Sequence, residues 1–587
     1  MSLLTDLSAT FAAAFESLGL DRAHGEVVVS GRPELGQFQC NGALPAAKEA
    51  GSNPREIAGA IIERIESEDI ERLSVAGPGF INISLTNAAI GSHLSRITDD
   101  RHLGLEPAAE PKTVVVDYGG PNVAKAMHVG HLRATLIGDS VARIGRFVGH
   151  DIITDAHFGD WGTQMGMVIV GIRQRMPDLP YFDPDHTGPY PDQAPVTLED
   201  LQEIYPKISA DAKNDPTVAE AARRATLELQ EGRKGYRALW EHLVEVSMSS
   251  QRADFQDLGV EFDLWHAEST VHDRVYPIIA GMRAKDIAVE SEGALVVPIA
   301  EPDDTKDIPP LLMLKSDGAY LYTTTDVATV DLRVADLHAD EILYVVDARQ
   351  GLHFEQVFRV ARKAGIAPPD VVLEHVKFGT MNGPDGKPFK TREGGVVSLR
   401  DLIDMVTGAA IARLDEAEIA QEYPPDERRE IARRVGLAAL KFGELQNHRT
   451  SNYVFDLDRF LSFDGKTGPY LQYGVVRTGS VLKEAAARDL SPGLLVAPTI
   501  DQERDLMLAL LRFPEIVERS WEFRAPNHLA EYAFEVTQQF NRFYEECHIL
   551  SEPDEERQAS WLRLIDLTGR LLTTTLELLG ISVPERM

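Results

Sequence analysis

Cysteine is almost absent from this chain, which has only Cys40 and Cys547 among its 587 residues. The two lie far apart and neither belongs to a CxxC pair, so a disulfide framework and a cysteine-rich zinc site are excluded. No apolar run approaches the roughly 18 residues that a membrane span needs. The opening helix pattern, Leu3–Leu18, carries acidic residues and no basic region, which disfavours a secretory signal. These absences predict a cytoplasmic protein with no membrane segment.

Basic residues are also scarce. The chain has 59 Lys and Arg against 92 Asp and Glu, a formal net charge of −33. Taken alone, this balance disfavours nucleic-acid binding, because a phosphate footprint normally needs clustered Lys and Arg. Net charge does not describe local patches, however, so a specific motif can outweigh it.

The order of strand and helix patterns predicts a multidomain α/β protein. Apolar strand patterns such as "TVVVDY" from Thr113 and "EILYVVD" from Glu341 alternate with amphipathic helix patterns, which is typical of a parallel sheet with crossover helices. We expect an α+β domain over residues 1–105 and an α/β domain over 106–428 that carries an insertion at about 171–285. From 429 to 587 nearly every segment has helical periodicity, which predicts an all-α domain.

Two histidines follow the first strand of the α/β domain. A Gly-Pro turn leads into "HVGH", and a helix beginning near His128 puts His128 and His131 on one face of its first turn. With Gly130 and the free N–H groups of the helix start, they form a candidate phosphate site. Two solvated histidines are the alternative for an isolated HxxH. The chain contains no HExxH, GxxxxGK[ST] or GxGxxG motif that would offer a competing metal or nucleotide site.

The wider context of this motif resembles one enzyme family. "HVGH" is similar to the HIGH signature of class I aminoacyl-tRNA synthetases, and "DYGGPNVAKAMHVGHLRATLIGD" resembles its form in the arginyl-tRNA synthetase family. Similar segments follow in the family's order: "HFGDWGTQMG", "YLYTTTDVA", "LYVVDARQGLHFEQVF", "DGKPFKTREGG", "SFDGKTGPYLQY" and "LGISVPERM". The resemblance implies a Rossmann-like catalytic core, an N-terminal tRNA-binding domain and a C-terminal helical anticodon-binding domain.

The resemblance implies two chemical steps. Arginine attacks the α-phosphate of ATP, giving arginyl-adenylate and pyrophosphate, and the terminal ribose of tRNA-Arg then takes the arginyl group. His128 and His131 would donate hydrogen bonds to the oxygens of the α-phosphorus, and Gly130 would let adenine lie against bare backbone. Mg²⁺ would accompany ATP, and no tightly bound metal or organic cofactor is expected.

The family's second signature, KMSKS, corresponds here to "PFKTR". Its second lysine is replaced by Thr391, so Lys390 and Arg392 are candidates to share the pyrophosphate contact. Lys125, three residues before His128, is the position at which the family often compensates for such a loss. An ordinary basic loop and a solvated lysine are the alternatives.

Arginine selection requires a carboxylate, because a planar guanidinium pairs with one through two parallel hydrogen bonds. The resemblance assigns five arginine-binding residues: Asp117 and Asp326 to the guanidinium, Tyr322 to a hydroxyl contact, and Asn122 and Gln350 to the α-amino end. Asp117 has the alternative of capping the turn after its strand, and Tyr322 that of a packed strand tyrosine. The chain departs from the family at Gly119 and Gly120, where serines are frequent, so a hydroxyl contact to the substrate amine is in doubt.

For tRNA, the resemblance assigns Phe80 and Asn82 of "GPGFIN" to an unpaired D-loop base, a usual way to read splayed RNA bases. Tyr470 and Tyr473 in the helical domain are candidates to stack on the anticodon. A buried Phe, a turn Asn and core tyrosines are the alternatives. The expected partners are tRNA-Arg, L-arginine and ATP, with no membrane, and a monomer is expected.

Two other functions were weighed. A non-catalytic tRNA-binding paralogue is disfavoured by the intact His128, Gly130, His131 and Asp326. A class I synthetase for cysteine would need a zinc-bound thiolate site, which two distant cysteines cannot supply.

Overall fold

The computed structural model describes residues 3–316, 318–383, 386 and 397–587. Contacts between Cα atoms divide the chain into two compact units. One unit comprises Met1–Ala108 together with Ser462–Met587, and the other is Ala109–Leu461. The domain boundaries expected at residues 105 and 429 stay predictions. Among the described residues, no helix combines the length and the apolar character needed to cross a membrane.

The N-terminal segment folds as an antiparallel sheet with helices, as its periodicity predicts. The sheet has the strand order β1-β2-β4-β3. Its strands are β1 (Val27–Val29), β2 (Phe38–Cys40), β3 (Ile70–Ala76) and β4 (Phe80–Leu85), and its helices are α1 (Leu3–Ser17), α2 (Ala43–Ala50), α3 (Pro54–Ile62) and α4 (Asn87–Ile97). The Asn53 side chain accepts the Arg55 N–H and caps α3, and Pro54 occupies the first position of the helix, where its missing N–H is tolerated. The apolar helix pattern of the sequence "NPREIAGAIIERIES" predicts a helix to residue 67, but α3 ends at Ile62.

The second unit is built around a four-stranded parallel sheet with the order β11-β10-β5-β6. Its strands are β5 (Thr113–Tyr118), β6 (Asp151–Asp155), β10 (Glu341–Val345) and β11 (Val372–His375). Val114, Val115 and Val116 are fully buried, because helices cover both faces of the sheet. The crossover helices are α5 (Val129–Val148) and α12 (Gly351–Ala364). Gly365 caps the end of α12 with a φ of 74°, which suits glycine. The predicted α/β class is confirmed.

The remaining elements of this unit lie around that sheet. Between β6 and β10 come helices and a three-stranded antiparallel sheet: α6 (Thr163–Arg175), α7 (Leu198–Asn214), α8 (Pro216–Gln230), α9 (Lys234–Asp257), α10 (His272–Ala284), β7 (Val289–Ser291), β8 (Ala294–Val297), β9 (Leu311–Leu314) and α11 (Tyr322–Ala335). The unit closes with β12 (Met381–Asn382), α13 (Leu399–Glu416), α14 (Pro425–Leu445), β13 (Tyr453–Val454) and α15 (Leu457–Phe460). β13 pairs in parallel with β12, a short strand within a region whose periodicity predicted only helix.

The C-terminal segment is helical and packs on the N-terminal one. Its helices are α16 (Gly468–Ala487), α17 (Asp501–Leu511), α18 (Phe513–Glu522), α19 (Asn527–Glu546) and α20 (Glu555–Leu578). The Arg504 guanidinium donates to the Asn87 side chain at 2.8 Å and to the Leu85 carbonyl at 3.0 Å. A Cβ at Gly91 would lie 3.0 Å from the Val496 carbonyl oxygen, so α4 approaches the 495–498 segment closely. The two ends of the chain therefore share one folded unit.

Candidate active site

The parallel sheet changes winding direction between β5 and β10. The chain leaves β5 through α5 toward β6, whereas it leaves β10 through α12 toward β11 on the other side. In such sheets ligands bind in the crevice beyond the carboxyl ends of the strands at this switch point. A cavity of about 270 Å³ lies there, and its lining includes Asp117, Gly130, His131, His157, Asp326 and Asp347. The crevice thus collects several residues that the sequence singled out.

The histidine pair caps the start of α5. The helix begins at Val129, so His128 is its N-cap with φ −141° and ψ 171°, and only His131 lies within the first turn. This corrects the expectation that both are helical. The Gly130 N–H donates to His128 Nδ1 at 3.0 Å, and the His128 N–H donates to His131 Nδ1 at 3.2 Å. The rings lie with centroids 4.1 Å apart. The imidazoles therefore satisfy backbone groups that a helix start leaves open.

These contacts set the protonation state of both rings. A ring nitrogen that accepts a backbone N–H carries no proton, so each neutral imidazole holds its proton on Nε2. Burial, followed by the charge of Lys125, lowers the pKa of His128. Burial and the neighbouring His128 lower the pKa of His131 to about 3. At neutral pH the pair consists of two uncharged Nε2–H donors.

Glycines leave room around the pair. A Cβ at Gly130 would lie 2.7 Å from His128 Cε1, so the capping rotamer of His128 requires a glycine there. A Cβ at Gly120 would lie 1.8 Å from the His157 carbonyl oxygen. Gly119 has φ 73°, a conformation that a serine adopts only with strain. The departure from the family's serines therefore coincides with a tight, partly left-handed turn.

A larger cavity of about 650 Å³ also lies in this unit, and its lining includes Asn122, Trp161, Gln164, Glu268, Lys315 and Tyr322. Glu268 is a half-buried acid in this lining. Burial, followed by the charges of Asp326 and Asp160, raises the pKa of Glu268 to about 8. A carboxyl in this state gains its charge readily when a cation arrives. Sequence analysis missed Glu268, since it follows an irregular segment and carries no motif.

Asp326 and Tyr322 lie one turn apart on α11 and share a partner. His353 Nε2 lies 2.6 Å from Asp326 Oδ2, and the His353 ring lies 5.1 Å from that of Tyr322. Tyr322 is 55% exposed, so it is not the packed strand tyrosine of the alternative interpretation. Sequence analysis also missed His353. No local pattern marks it, and its place near Asp326 comes from the packing of α12 against α11.

Asp117 already has a cationic partner within the protein. Arg333, fully buried on α11, reaches Asp117 Oδ2 at 2.7 Å and Asp155 Oδ2 at 2.8 Å through Nη2. Asp117 still lines the smaller cavity. Any guanidinium contact of Asp117 would therefore be shared with Arg333, whereas Asp326 contacts the His353 ring.

The remaining predicted ligands are spread around the crevice. Asn122 is exposed and lines the larger cavity, and Gln350 is exposed at the residue before α12. The Lys125 ammonium lies 4.8 Å from the Tyr205 ring centroid, close enough to the histidines to lower their pKa values. Lys390, Thr391 and Arg392 lie outside the described residues.

The candidate RNA-binding residues lie in the other unit. Phe80 is half-buried at the start of β4, whereas Asn82 is only 2% exposed and accepts a hydrogen bond from Gln39 Nε2 at 2.8 Å. Tyr470 is half-buried and its hydroxyl accepts from Asn541 Nδ2 at 2.8 Å. Tyr473 is 38% exposed, with the Arg477 guanidinium 4.8 Å from its ring centroid. Among these four, Tyr473 presents the most open aromatic face.

Comparisons with known proteins agree along the whole chain. The family described as "tRNA synthetases class I (R), catalytic domain" matches residues 93–457. "DALR anticodon binding domain" matches 471–587, and "Arginyl tRNA synthetase N terminal domain" matches 5–85.

Individual proteins give the same result. The arginine–tRNA ligases of Alkaliphilus oremlandii and Maricaulis maris are 48% and 47% identical, each over 100% of both chains. The arginyl-tRNA synthetase structure from Plasmodium falciparum has a TM-score of 0.83 and 25% identity, covering 100% of this chain and 99% of that one. That from Thermus thermophilus, at 24% identity and full coverage of both chains, has a TM-score of 0.80 and supports the fold. The chain therefore belongs to the arginyl-tRNA synthetase family of class I aminoacyl-tRNA synthetases.

Proposed function

We propose that the chain ligates L-arginine to tRNA-Arg by way of an arginyl-adenylate. In the first step an oxygen of the arginine carboxylate bonds to the α-phosphorus of ATP while the bond from that phosphorus to the bridging oxygen breaks, and pyrophosphate leaves. In the second step a ribose hydroxyl at the 3′ end of tRNA attacks the arginyl carbonyl and AMP leaves. The non-catalytic alternative is not supported, because full-length relatives are ligases by name.

The observation that carries this proposal is the neutral histidine pair at the switch point of the sheet. Negative charge grows on the oxygens of the α-phosphorus as the carboxylate attacks, and preorganised hydrogen-bond donors stabilise such charge without moving. His128 and His131 each offer an Nε2–H, since their Nδ1 atoms accept backbone N–H groups. Gly130 lies exposed beside them and leaves its backbone open to the adenine ring.

Selection of arginine rests on acids around the crevice. Asp326, held by His353, and Glu268 supply two carboxylates for the five donors of a guanidinium. Tyr322 offers its hydroxyl one turn from Asp326. Asp117 acts together with Arg333, so it contributes less negative charge than a free carboxylate. Asn122 and Gln350 receive the α-amino end of the substrate.

The phosphates of ATP bring their own cation. No group of three or more His, Cys, Asp or Glu side chains that could hold a metal occurs among the described residues. In this proposal Mg²⁺ enters on the ATP phosphates, as part of the substrate. Lys125 contacts the phosphates from the turn before α5, and Lys390 and Arg392 do so from their own loop.

tRNA-Arg is bound by the unit that holds both chain ends. Phe80 and Asn82 receive a D-loop base, with Asn82 acting through a rearrangement of its bond to Gln39, and Tyr470 and Tyr473 stack on the anticodon. We further propose a cytoplasmic monomer. The buried free thiols of Cys40 and Cys547 fit a reducing compartment.

The decisive experiment is an adenylation assay across all amino acids. Arginine-dependent exchange of pyrophosphate into ATP is measured with and without tRNA-Arg. We expect activity with arginine alone among the amino acids, and only when tRNA-Arg is present. Exchange with another amino acid would overturn the assignment, and full exchange without tRNA would overturn the tRNA requirement.

A further inference from the structure

The turn that carries Asn122 and Lys125 is held by one buried face of α9. The Ala124 N–H donates to Ser247 Oγ at 2.9 Å. Gln251 Nε2 donates to the Asn122 carbonyl at 3.1 Å and to the Lys125 carbonyl at 3.4 Å. Ser247 is 0% exposed and Gln251 is 1% exposed. Three hydrogen bonds with one helix therefore hold the backbone of three of the four residues 122–125.

The turn needs such support. Ala124 has φ 64°, a left-handed conformation that costs free energy for a residue with a Cβ and persists only where surrounding contacts impose it. The amide of Gln251 can be oriented in only one way, because both of its partners are carbonyl oxygens and only the nitrogen can donate to them. The contact is thus specific to glutamine in both length and hydrogen-bond pattern.

The same face of α9 continues to the segment that follows the second signature. Asp254, three residues after Gln251, lies 3.8 Å from the Arg400 guanidinium at the start of α13. The 397–399 segment bonds back to the histidine motif, since the Leu399 N–H donates to the Met127 carbonyl at 3.0 Å and the Val129 N–H to the Val397 carbonyl at 3.2 Å. One face of α9 therefore borders the turn before the histidine motif and contacts Arg400, beside the 397–399 segment.

We propose that Ser247 and Gln251 are positioning residues that set the Lys125 ammonium against the ATP phosphates during adenylate formation. The inference rests on the phosphate role of Lys125 proposed above. Lys125 belongs to no helix or strand, so its backbone position is set by the contacts of its turn. A displacement of about 1 Å at a catalytic group costs on the order of 10²-fold in rate. Through α9, the region between β6 and β10 controls the geometry of the first signature.

The test is a double-mutant cycle in the full-length protein. Gln251→Leu keeps the apolar fit and removes both hydrogen bonds, and it is combined with Lys125→Ala. We expect Gln251→Leu to lower kcat for arginine-dependent exchange by about 10- to 10²-fold. The double variant should be within about twofold of the worse single variant, because both changes remove the same phosphate contact. Gln256→Leu, an exposed site on α9, is the matched control and should behave as the parent.

Three outcomes would overturn the inference. They are a Gln251→Leu enzyme within about threefold of the parent, losses that multiply in the double variant, and parental activity of Lys125→Ala. Parental activity of Lys125→Ala would show that Lys125 does not contact the phosphates. The proposed function would be unaffected, because the parent would still catalyse arginine-dependent exchange. Should Gln251→Leu not fold, Ser247→Ala replaces it in the same cycle, since it deletes only the hydroxyl that receives the Ala124 N–H.

Discussion

At the scale of single residues, we expect Glu268 to couple arginine binding to pH. Its pKa is raised to about 8, so below that pH the free protein holds it mostly protonated. A bound guanidinium favours the carboxylate, and binding then releases a proton below pH 8. We expect the KM for arginine to fall by up to about tenfold per pH unit as the pH rises toward the pKa of Glu268, and to level off above it. Arginine-dependent pyrophosphate exchange, assayed at several pH values on both sides of 8, gives the KM for arginine at each pH.

Glu268→Gln is the control for this pH dependence. The variant cannot ionise, so its KM should be higher and should not follow the same slope. Lys441, whose pKa is lowered by burial to about 8, titrates in the same range but is unchanged in the variant. An identical slope in both proteins would show that another group is responsible.

Asp326 carries the second prediction. Asp326→Asn preserves the shape and the contact with His353 but removes the charge that faces the guanidinium. We expect arginine-dependent activity to fall by about 2–5 kcal/mol, the usual cost of stranding one side of a buried charge pair. Asp331→Asn, on the same helix and paired with Arg274, is the matched control. If both kcat and the KM for arginine stay within about twofold of the parent, Asp326 is not the ligand.

The third prediction concerns Lys125. Lys125→Ala should lower kcat for adenylation by about 10²–10³-fold, the scale for losing one preorganised stabilising group, with the KM for arginine nearly unchanged. Adding Thr391→Lys returns a charge to the second signature. Partial recovery of kcat in the double variant would show that one phosphate contact has moved between motifs, and a double variant no better than Lys125→Ala would contradict it.

What the sequence could predict of the site depends on the kind of residue. His128 and His131 were predictable because a strand, a turn and a helix start follow one another within one segment. Glu268 and His353 reach the crevice only through tertiary packing, and no local pattern marks them. The ion pair between Arg333 and Asp117 joins residues on separate elements, so no local pattern could show that the carboxylate assigned to the substrate also has a partner within the protein.

At the scale of secondary structure, α6 and α8 touch through a glycine. A Cβ at Gly166 would lie 2.1 Å from the Ala222 carbonyl oxygen and 2.2 Å from Thr226 Oγ1. Gly166→Ala should therefore lower the free energy of unfolding by about 1–3 kcal/mol, as overpacking does. Gly408→Ala on α13 is the control, because a Cβ there meets nothing within 4 Å.

The control should stabilise the protein by about 0.5–1 kcal/mol, since alanine favours a helix interior over glycine. Denaturant unfolding of both variants measures the difference. If both substitutions changed the free energy of unfolding equally and with the same sign, the close contact between α6 and α8 would be contradicted.

Strands could be predicted from the sequence where nearly every residue along the strand is buried. β5 and β10 are continuous apolar runs because both faces of the sheet are covered, and these strands were located to within two residues. The three-stranded sheet of β7, β8 and β9 was not predicted. β7 is exposed along its length, so its sequence carries no apolar alternation to reveal it.

At the scale of the whole molecule, the strongly negative net charge of the protein opposes the binding of negatively charged tRNA. The net charge is −33, so tRNA has to bind along a local basic track. Binding then releases counterions from the neutralised phosphates, and we expect tRNA affinity to fall steeply and linearly on a log–log plot against salt. Filter binding over a range of salt concentrations measures the slope. A slope near zero would argue against a phosphate contact.

The sharing of one unit by both chain ends has a consequence during synthesis. Residues 1–108 leave the ribosome first, yet the surfaces that α4 packs against, around 495–498 and Arg504, are made last. At about 5–20 residues per second, translation of residues 109–461 alone takes roughly 20–70 s. Through that time α4 can contact Asp69 through His93, but its partners around 495–498 and Arg504 do not yet exist. The unit that holds both chain ends can therefore complete its packing only after residues 109–461 have been made.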